Sequence, residues 1–245
     1  MMTTPMSMTS TAKRNSPVTD FSALDNAAWF ALTTVHQPLA RSNGLARRYP
    51  STVSPIVGLR DGSPAAFADL RELTGPGESV ALAMANPLTV PSGWLVIMNF
   101  PLEQMICTQT PETWPVDLME LSPADAPEML ALATATEPGP FLLETIRMGR
   151  YFGVRSSDGR LAAMAGQRLQ LEQFTEISAV CTDPAFRGLG HAKALVSFLA
   201  KQILSDGRVP FLHVRPDNLP AKKVYEKLGF RVRRVVQLMV LARQD

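Results

Sequence analysis

Cysteines and long apolar runs are scarce in this sequence. Only two cysteines, Cys107 and Cys181, occur in 245 residues, too few for a disulfide framework. Each is predicted to be a small buried apolar residue, which favours a cytoplasmic location. No run of about 18 apolar residues is present, so no membrane-spanning helix is expected. Residues 1–20 lack the apolar segment of a secretory signal, and their Met, Thr and Ser content predicts a disordered tail.

The sequence also has no strong excess of charge of either sign. Lys and Arg number 24 and Asp and Glu number 22, for a formal net charge of +2. The basic residues are scattered except for Arg231, Arg233 and Arg234, so no nucleic-acid partner is expected. No metal site is predicted either.

The first part of the chain is predicted to form a mixed α and β module over residues 21–115. Helical spacing covers residues 21–37, and a short helix is predicted over residues 65–73. Strands are predicted for the strand-like runs at residues 56–59, 80–84 and 94–98. A proline-spaced segment, residues 110–115, is typical of a linker to a second domain over residues 116–245. No catalytic constellation is found in the first module.

The second part has a clearer order of elements. Ser122 and Pro123 are typical of a helix start, and that helix is predicted to run to about Thr136. The turn Ser157-Asp158-Gly159 predicts a hairpin between strands 151–155 and 161–171. A strand over residues 176–182, a helix over 192–205 and a strand over 209–214 follow.

The segment Arg187-Gly188-Leu189-Gly190-His191-Ala192 lies between a predicted strand and a predicted helix. Two glycines there let the backbone approach a ligand, and the unpaired N–H groups of the first helical turn favour an anion such as a pyrophosphate. A dinucleotide-binding fingerprint would need a third glycine where Lys193 stands. The P-loop pattern also fails, because no Gly-Lys-Ser/Thr closes the segment.

This segment resembles the acyl-coenzyme A signature Gln/Arg-x-x-Gly-x-Gly/Ala of the GCN5-related N-acetyltransferases, of the FR47-like acyl-coenzyme A N-acyltransferase type. Asn218, Tyr225 and the pair Gly229-Phe230 follow in that family's order and spacing. The resemblance covers roughly residues 116–245. It implies an α/β (mixed α+β) fold with a splayed, mixed β-sheet flanked by helices, preceded here by the smaller α+β module.

The resemblance implies an N-acetyltransferase that moves an acetyl group from acetyl-coenzyme A directly to a primary amine. The acceptor amine belongs to a small molecule or to a protein or peptide, and the sequence does not distinguish them. Residues 21–115 would form the acceptor side, and in some relatives such a module looks like a degenerate copy of the catalytic domain. Two alternatives stay open: a non-catalytic acyl-coenzyme A sensor, and a partner-binding role for residues 21–115.

Two catalytic residues are expected from the resemblance. Tyr225 would be the general acid that protonates the departing thiolate, although it also fits the apolar face of a short helix. Glu176 would accept a proton from the amine through water, and its alternative is a solvated glutamate at a strand end. Cys181 is not expected to carry the acyl group, because no histidine base is placed beside it.

The expected cofactor-binding residues fall into three groups. Backbone groups near Val180, Cys181 and Thr182 would hold the oxyanion of the reaction, where their strand separates from the predicted strand over residues 209–214. The loop residues Arg187, Gly188, Leu189, Gly190, His191 and Ala192 would hold the pyrophosphate. Asn218 would contact the cofactor, or cap a helix. His191 is expected to face solvent, and His213 either faces the acceptor cleft or is a partly buried, hydrogen-bonded side chain.

Overall fold

The structure of the protein is a computed structural model that describes residues 20–244. The predicted tail therefore lies outside the described residues except for Asp20, which is exposed and belongs to no helix or strand. Within residues 20–244, no helix is long and apolar enough to cross a membrane.

The N-terminal part begins with a 3-10 turn, Ser22–Asn26, that leads into a short helix, α1 (Ala27–Thr33). Three short strands then form an antiparallel sheet of their own: β1 (Arg41–Asn43), β2 (Ala46–Arg48) and β3 (Val57–Leu59). Helix α2 (Pro64–Leu73) packs beside this sheet and has an N-cap, because the Ser63 hydroxyl accepts a hydrogen bond from the Ala66 N–H at 3.2 Å.

Eight further strands form one mixed sheet in the order β4-β11-β5-β10-β9-β8-β7-β6. The strands are β4 (Ser79–Met84), β5 (Trp94–Ile106), β6 (Met119–Leu121), β7 (Tyr151–Arg155), β8 (Leu161–Gln170), β9 (Phe174–Thr182), β10 (Val209–Val214) and β11 (Arg231–Arg243). The remaining helices are α3 (Ala126–Thr136), α4 (His191–Ser205) and α5 (Leu219–Lys227). The predicted mixed α/β class is confirmed.

Strand β5 joins the two predicted domains in a single sheet. It hydrogen-bonds antiparallel to β10 on one side and to β11 on the other. The predicted boundary near residue 115 therefore does not separate two sheets. The predicted strand over residues 94–98 was too short, and β11 was not predicted at all. Pro101 obscures the full length of β5, because proline is accepted in a strand only at an edge or a bulge.

Helices cover both faces of the large sheet. On one face α4 and α5 pack in a core cluster that includes Leu195, Leu199, Leu212, Tyr225 and Phe230. On the other face the N-terminal turn and α1 pack against β8, β9 and β10, with Leu24, Leu32, Leu169, Phe174 and Phe211 buried together. Each face thus excludes water from the strands that carry the site.

Several elements of the second half are found as predicted. Ser122 and Asp125 form a capping box at the 3-10 turn that leads into α3. The hairpin β7–β8 surrounds the predicted turn, and β10 has the predicted bounds. Helix α4 begins one residue before its predicted start, and β9 begins two residues before its own.

Candidate functional site

The parallel strands β9 and β10 separate near the middle of the sheet. They pair at only three positions, with Glu176 opposite Phe211 as the last. Beyond that pair, β9 continues to Thr182 and β10 to Val214 without further pairing. The predicted splay is therefore confirmed, and it opens a gap in the sheet.

Strand β9 has a bulge beside this gap. Ser178 pairs with Gly166 of β8 and Cys181 pairs with Met164, so two residues of β9 lie opposite a single residue of β8. Ala179, inside the bulge, has φ 52°, in the left-handed region. A non-glycine residue in that region costs about 1–3 kcal/mol, and such strain is concentrated at functional sites. The bulge removes backbone groups of β9 from the ladder and leaves them beside the gap.

A cavity of about 360 Å³ passes through the gap between the strands. Val180 of β9, Asn218 at the start of α5 and Tyr225 within α5 line its wall. The cavity continues past His213 to the opposite face of the sheet, where it lies between the sheet and α1. Three of the predicted site residues, Val180, Asn218 and Tyr225, are thus brought together at one cavity.

Tyr225 both packs in the core and lines the cavity. Its side chain is 8% exposed, and its ring lies 6.2 Å from the ring of Phe230. Burial raises the pKa of Tyr225 to about 12, so its hydroxyl stays protonated at neutral pH. Asn218 also has two roles. It lines the cavity, and its Oδ1 accepts a hydrogen bond from the Ala221 N–H at 3.2 Å. The predicted N-cap is confirmed.

Glu176 is fully buried and does not line the cavity. Its carboxylate accepts two hydrogen bonds from Arg168, at 2.7 and 2.9 Å, and one from Nδ1 of His213 at 2.8 Å. Burial by itself would raise the pKa of Glu176, but the charge and hydrogen bonds of Arg168, together with the hydrogen bond from His213, outweigh it and hold the pKa well below its usual range. The alternative of a solvated strand-end glutamate is wrong, because Glu176 is buried.

His213 has defined partners on both ring nitrogens. Because a carboxylate only accepts, Nδ1 carries the hydrogen that is donated to Glu176. Nε2 lies 3.1 Å from Nε2 of Gln104, whose Oε1 accepts from Arg233 at 2.8 Å. The Gln104 amide nitrogen is therefore the donor, and Nε2 of His213 is the acceptor. The His213 side chain also lines the cavity.

The sequence reasoning missed Arg168 and Gln104 and left His213 open. One signal was available: Arg168 and Glu176 each interrupt an apolar strand, and two such strands joined by a short turn bring opposite charges together. Charged side chains are almost never fully buried without a partner. Gln104 had no such signal, because it lies 109 residues from His213 in sequence.

The loop before α4 lies beyond the end of β9 and outside the cavity. Gly188 has φ 82° and Gly190, the N-cap of α4, has φ 81°. Within residues 20–244, the backbone N–H groups of residues 188–193 have no hydrogen-bond partner. Leu189 is 64% exposed, and Nε of Arg187 donates to the carbonyl of Thr182 at 3.4 Å. This loop thus offers a row of free N–H donors at a helix N-terminus.

The remaining predicted residues, His191, Cys181 and Ala192, do not line the cavity. His191 is half-buried rather than solvent-facing, and its buried Nδ1 has no partner among residues 20–244. Cys181 packs with Leu121 and Met129 in a core cluster away from the cavity, and burial raises the pKa of its thiol to about 11. Only the backbone of Cys181 can contribute to the site. Ala192 is half-buried in the first turn of α4.

No group of three or more His, Cys, Asp or Glu side chains that could hold a metal ion occurs in the described part of the chain.

Comparisons with known proteins agree with this geometry. A family profile described as FR47-like protein matches residues 151–239. A GNAT-family protein from Novosphingobium aromaticivorans has a solved structure that is 37% identical, with a TM-score of 0.84 over 91% of this chain and 99% of that one. A GCN5-related N-acetyltransferase from Kribbella flavida is 20% identical, with a TM-score of 0.58 over 89% and 96% of the two chains. No curated protein matches the chain. The chain therefore belongs to the GNAT family of acetyltransferases.

Proposed function

We propose that this protein transfers an acetyl group from acetyl-coenzyme A directly to a primary amine. The observation that carries the proposal is one cavity that is lined by the bulge of β9, by Tyr225 and by His213. In the reaction the amine nitrogen attacks the thioester carbon, the carbon–sulfur bond breaks, and an amide and the free thiol are formed.

The loop before α4 would hold the pyrophosphate of acetyl-coenzyme A. The free N–H groups of residues 188–193 and the positive end of the α4 dipole support this role. A Cβ atom at Gly188 or Gly190 would meet open space, so the backbone is accessible there. Arg187 is engaged with Thr182, which favours a cradle that works through the backbone.

Backbone N–H groups at the bulge near Val180 would hold the oxyanion of the tetrahedral intermediate. They belong to a strand that has left its neighbour, so their hydrogen bonds are available to a substrate. Fixed donors of this kind are worth about 10²- to 10³-fold in rate.

His213 would take the proton from the amine, in place of Glu176. The depressed pKa of Glu176 makes its carboxylate a weak base, and Arg168 occupies both of its oxygens. Glu176 would instead position His213 by accepting from Nδ1, which leaves Nε2 as the proton acceptor. The incoming ammonium group would replace the Gln104 amide as the donor to Nε2, while that amide keeps its bond to the Leu24 carbonyl at 2.9 Å.

Tyr225 would give a proton to the departing sulfur. Its raised pKa keeps the donor form populated throughout the neutral range. A proton acceptor and a proton donor at one cavity favour an enzyme over the alternative of a non-catalytic acyl-coenzyme A sensor, which needs neither group.

The first experiment measures thiol release from acetyl-coenzyme A with a panel of primary amines. We expect Tyr225→Phe to lower kcat by about 10²-fold with little change in coenzyme A affinity, because the hydroxyl acts chiefly in the transition state. The matched control is Tyr151→Phe, which removes a buried hydroxyl that does not line the cavity. Tight binding of acetyl-coenzyme A by the wild type without transfer to any amine would favour the sensor.

The second experiment replaces the proposed proton acceptor by His213→Asn. Asparagine retains an N–H donor for Glu176 but has no basic nitrogen at the position of Nε2. We expect kcat/KM at pH 7 to fall by about 10²-fold or more, with part of the loss recovered near the amine's own pKa of about 10.4, where the free amine no longer needs a base. A pH profile identical to that of the wild type would contradict the role of His213.

A further inference from the structure

We infer that the acceptor is a primary monoamine carried on an apolar body, and that the N-terminal half of the chain builds the chamber that holds this body. This inference rests on the proposed function. It concerns the part of the cavity that lies beyond His213, between the large sheet and α1. We call this part the acceptor chamber.

The floor of the acceptor chamber is an apolar row across three neighbouring strands. Leu238 of β11 lies directly opposite Ala83 of β4 on one side and Phe100 of β5 on the other. The next pair along the same face is Val236 opposite Leu102. All five residues line the cavity, and they form one continuous apolar surface that leads toward His213.

The roof of the chamber comes from the N-terminal turn and α1. Leu24, Ala27 and Ala28 line it, and Ile56 closes one side. Alanines on both the roof and the floor leave room that larger side chains would fill. The whole cavity, at about 360 Å³, lies at the small end of the range for small-molecule sites, which is about 300–1,000 Å³.

The charges around the chamber oppose a second charged group on the acceptor. Glu176 lies behind the wall and is paired with Arg168. Arg215 is paired with Asp217 at 2.7 Å, and Glu137 is exposed at the mouth. Arg168 also lines the cavity, but its Nε and Nη2 are engaged by Glu176. Among the described residues that line the inner chamber, no carboxylate is free for a second ammonium group and no cation is unpaired. Burying an unpaired charge there would be strongly unfavourable.

The polar end fits one amine only. Arg233, the Leu24 carbonyl and His213 already occupy the polar atoms of Gln104. Nε2 of His213 is the acceptor that an incoming amine can take over by displacing Gln104. An amine at His213 with its apolar body along the Leu238 row uses both ends of the cavity.

The test measures kcat/KM with acetyl-coenzyme A for straight-chain amines from ethylamine to hexylamine. We expect a rise of up to about fourfold for each added methylene until the chamber is full. Two matched comparisons probe charge: butylamine against 1,4-diaminobutane, and butylamine against norvaline, which adds a carboxylate. We expect each charged partner to be at least about tenfold poorer.

Two variants change the size of the chamber in opposite directions and so test where the apolar body lies. Ala83→Leu should lower kcat/KM for hexylamine at least about tenfold and spare ethylamine, whereas Leu238→Ala should shift the preference to longer amines. Ala242→Leu is the control, because it makes the same change on the neighbouring strand β11 at a residue that does not line the cavity. Calorimetry of hexylamine binding to the protein without acetyl-coenzyme A gives a second readout for variants with low activity.

The outcomes separate this inference from the proposed function. Absence of transfer to every amine would overturn the proposed function. Transfer with a preference for diamines, amino acids or lysine peptides would leave the function intact and overturn the chamber inference. A rate that rises with acyl chain length and is flat with amine length would also overturn it, because the chamber would then hold the acyl group.

Discussion

His36 is a buried side chain whose charge state is set by its surroundings. It is 4% exposed, and its Nδ1 lies 2.7 Å from the hydroxyl of Tyr49. Burial lowers the pKa of His36 from 6.5 to about 4. Burial also raises the pKa of Tyr49 well above its usual range, so the hydroxyl remains a donor to the neutral imidazole. The folded protein therefore binds a proton at His36 less readily than the unfolded chain does.

This difference predicts a loss of stability on mild acidification. Because the folded pKa of His36 is depressed, its contribution is present above pH 6.5 and is lost as the pH falls toward 4. Between pH 7 and pH 5 the free energy of unfolding should fall by roughly 2 kcal/mol, measured by urea denaturation. His36→Asn keeps a polar group near Tyr49 without a titrating ring, and should flatten this interval. Equal pH dependence in both proteins would assign the loss to other groups.

At the scale of single elements, β9 and α4 carry the backbone groups proposed as oxyanion and pyrophosphate donors. Strand β9 pairs with β10 only as far as Glu176, then bulges at Ala179 and ends where the loop to α4 begins. Helix α4 starts at His191 with Gly190 as its N-cap, and the N–H groups of its first turn are free. One strand and one helix thus place the proposed oxyanion donors and the proposed pyrophosphate donors one after the other along the chain.

The cradle before α4 predicts a specific effect of valine at its glycines. Gly188→Val and Gly190→Val each place a β-branched side chain at φ near 80°, in the space where the phosphates are proposed to lie. Coenzyme A affinity, measured by calorimetry, should fall at least about tenfold.

Gly159→Val is the matched control for these variants. Gly159 has φ 84° and open space around its Cβ position, but it lies in the hairpin turn between β7 and β8. The backbone strain of about 1–2 kcal/mol is therefore similar. If Gly159→Val weakens coenzyme A binding as much as Gly190→Val does, strain explains the loss and the cradle has no direct role.

At the scale of the whole molecule, the two halves of the chain share one sheet and one core. Met105 and Cys107, from the N-terminal half, are buried in the same cluster as Leu212 and Phe230. Removal of β5 would leave β10 and β11 without the strand that lies between them. The two halves of the chain are therefore parts of one folding unit.

This arrangement predicts that a fragment of residues 116–245 does not fold cooperatively by itself. The fragment would expose the edges of β10 and β11 and the apolar surface that β5 covers. Thermal unfolding followed by circular dichroism should show no sharp transition, and supplying residues 20–115 as a separate chain should restore one. A sharp transition and coenzyme A binding by the fragment alone would contradict the prediction.

Local chemistry made much of the second half predictable. The glycines of the cradle, the Asn218 cap, the hairpin turn and the apolar face of α5 each depend on residues within about one or two turns of each other. The resemblance to the acetyltransferases depends on the same short motifs. The sequence by itself therefore determined the fold class, the family and the positions of Tyr225 and the cradle.

The tertiary structure alone decided the long-range partnerships. Glu176 and His213 are 37 residues apart, and β5 pairs with a strand that begins more than 100 residues later, so no short pattern contains either relation. Strand pairing, burial and the neutralisation of Glu176 by Arg168 are settled only when distant segments compete for the same core. That competition buried Glu176 in an ion pair with Arg168, brought His213 to the cavity wall and closed one side of the cavity with α1.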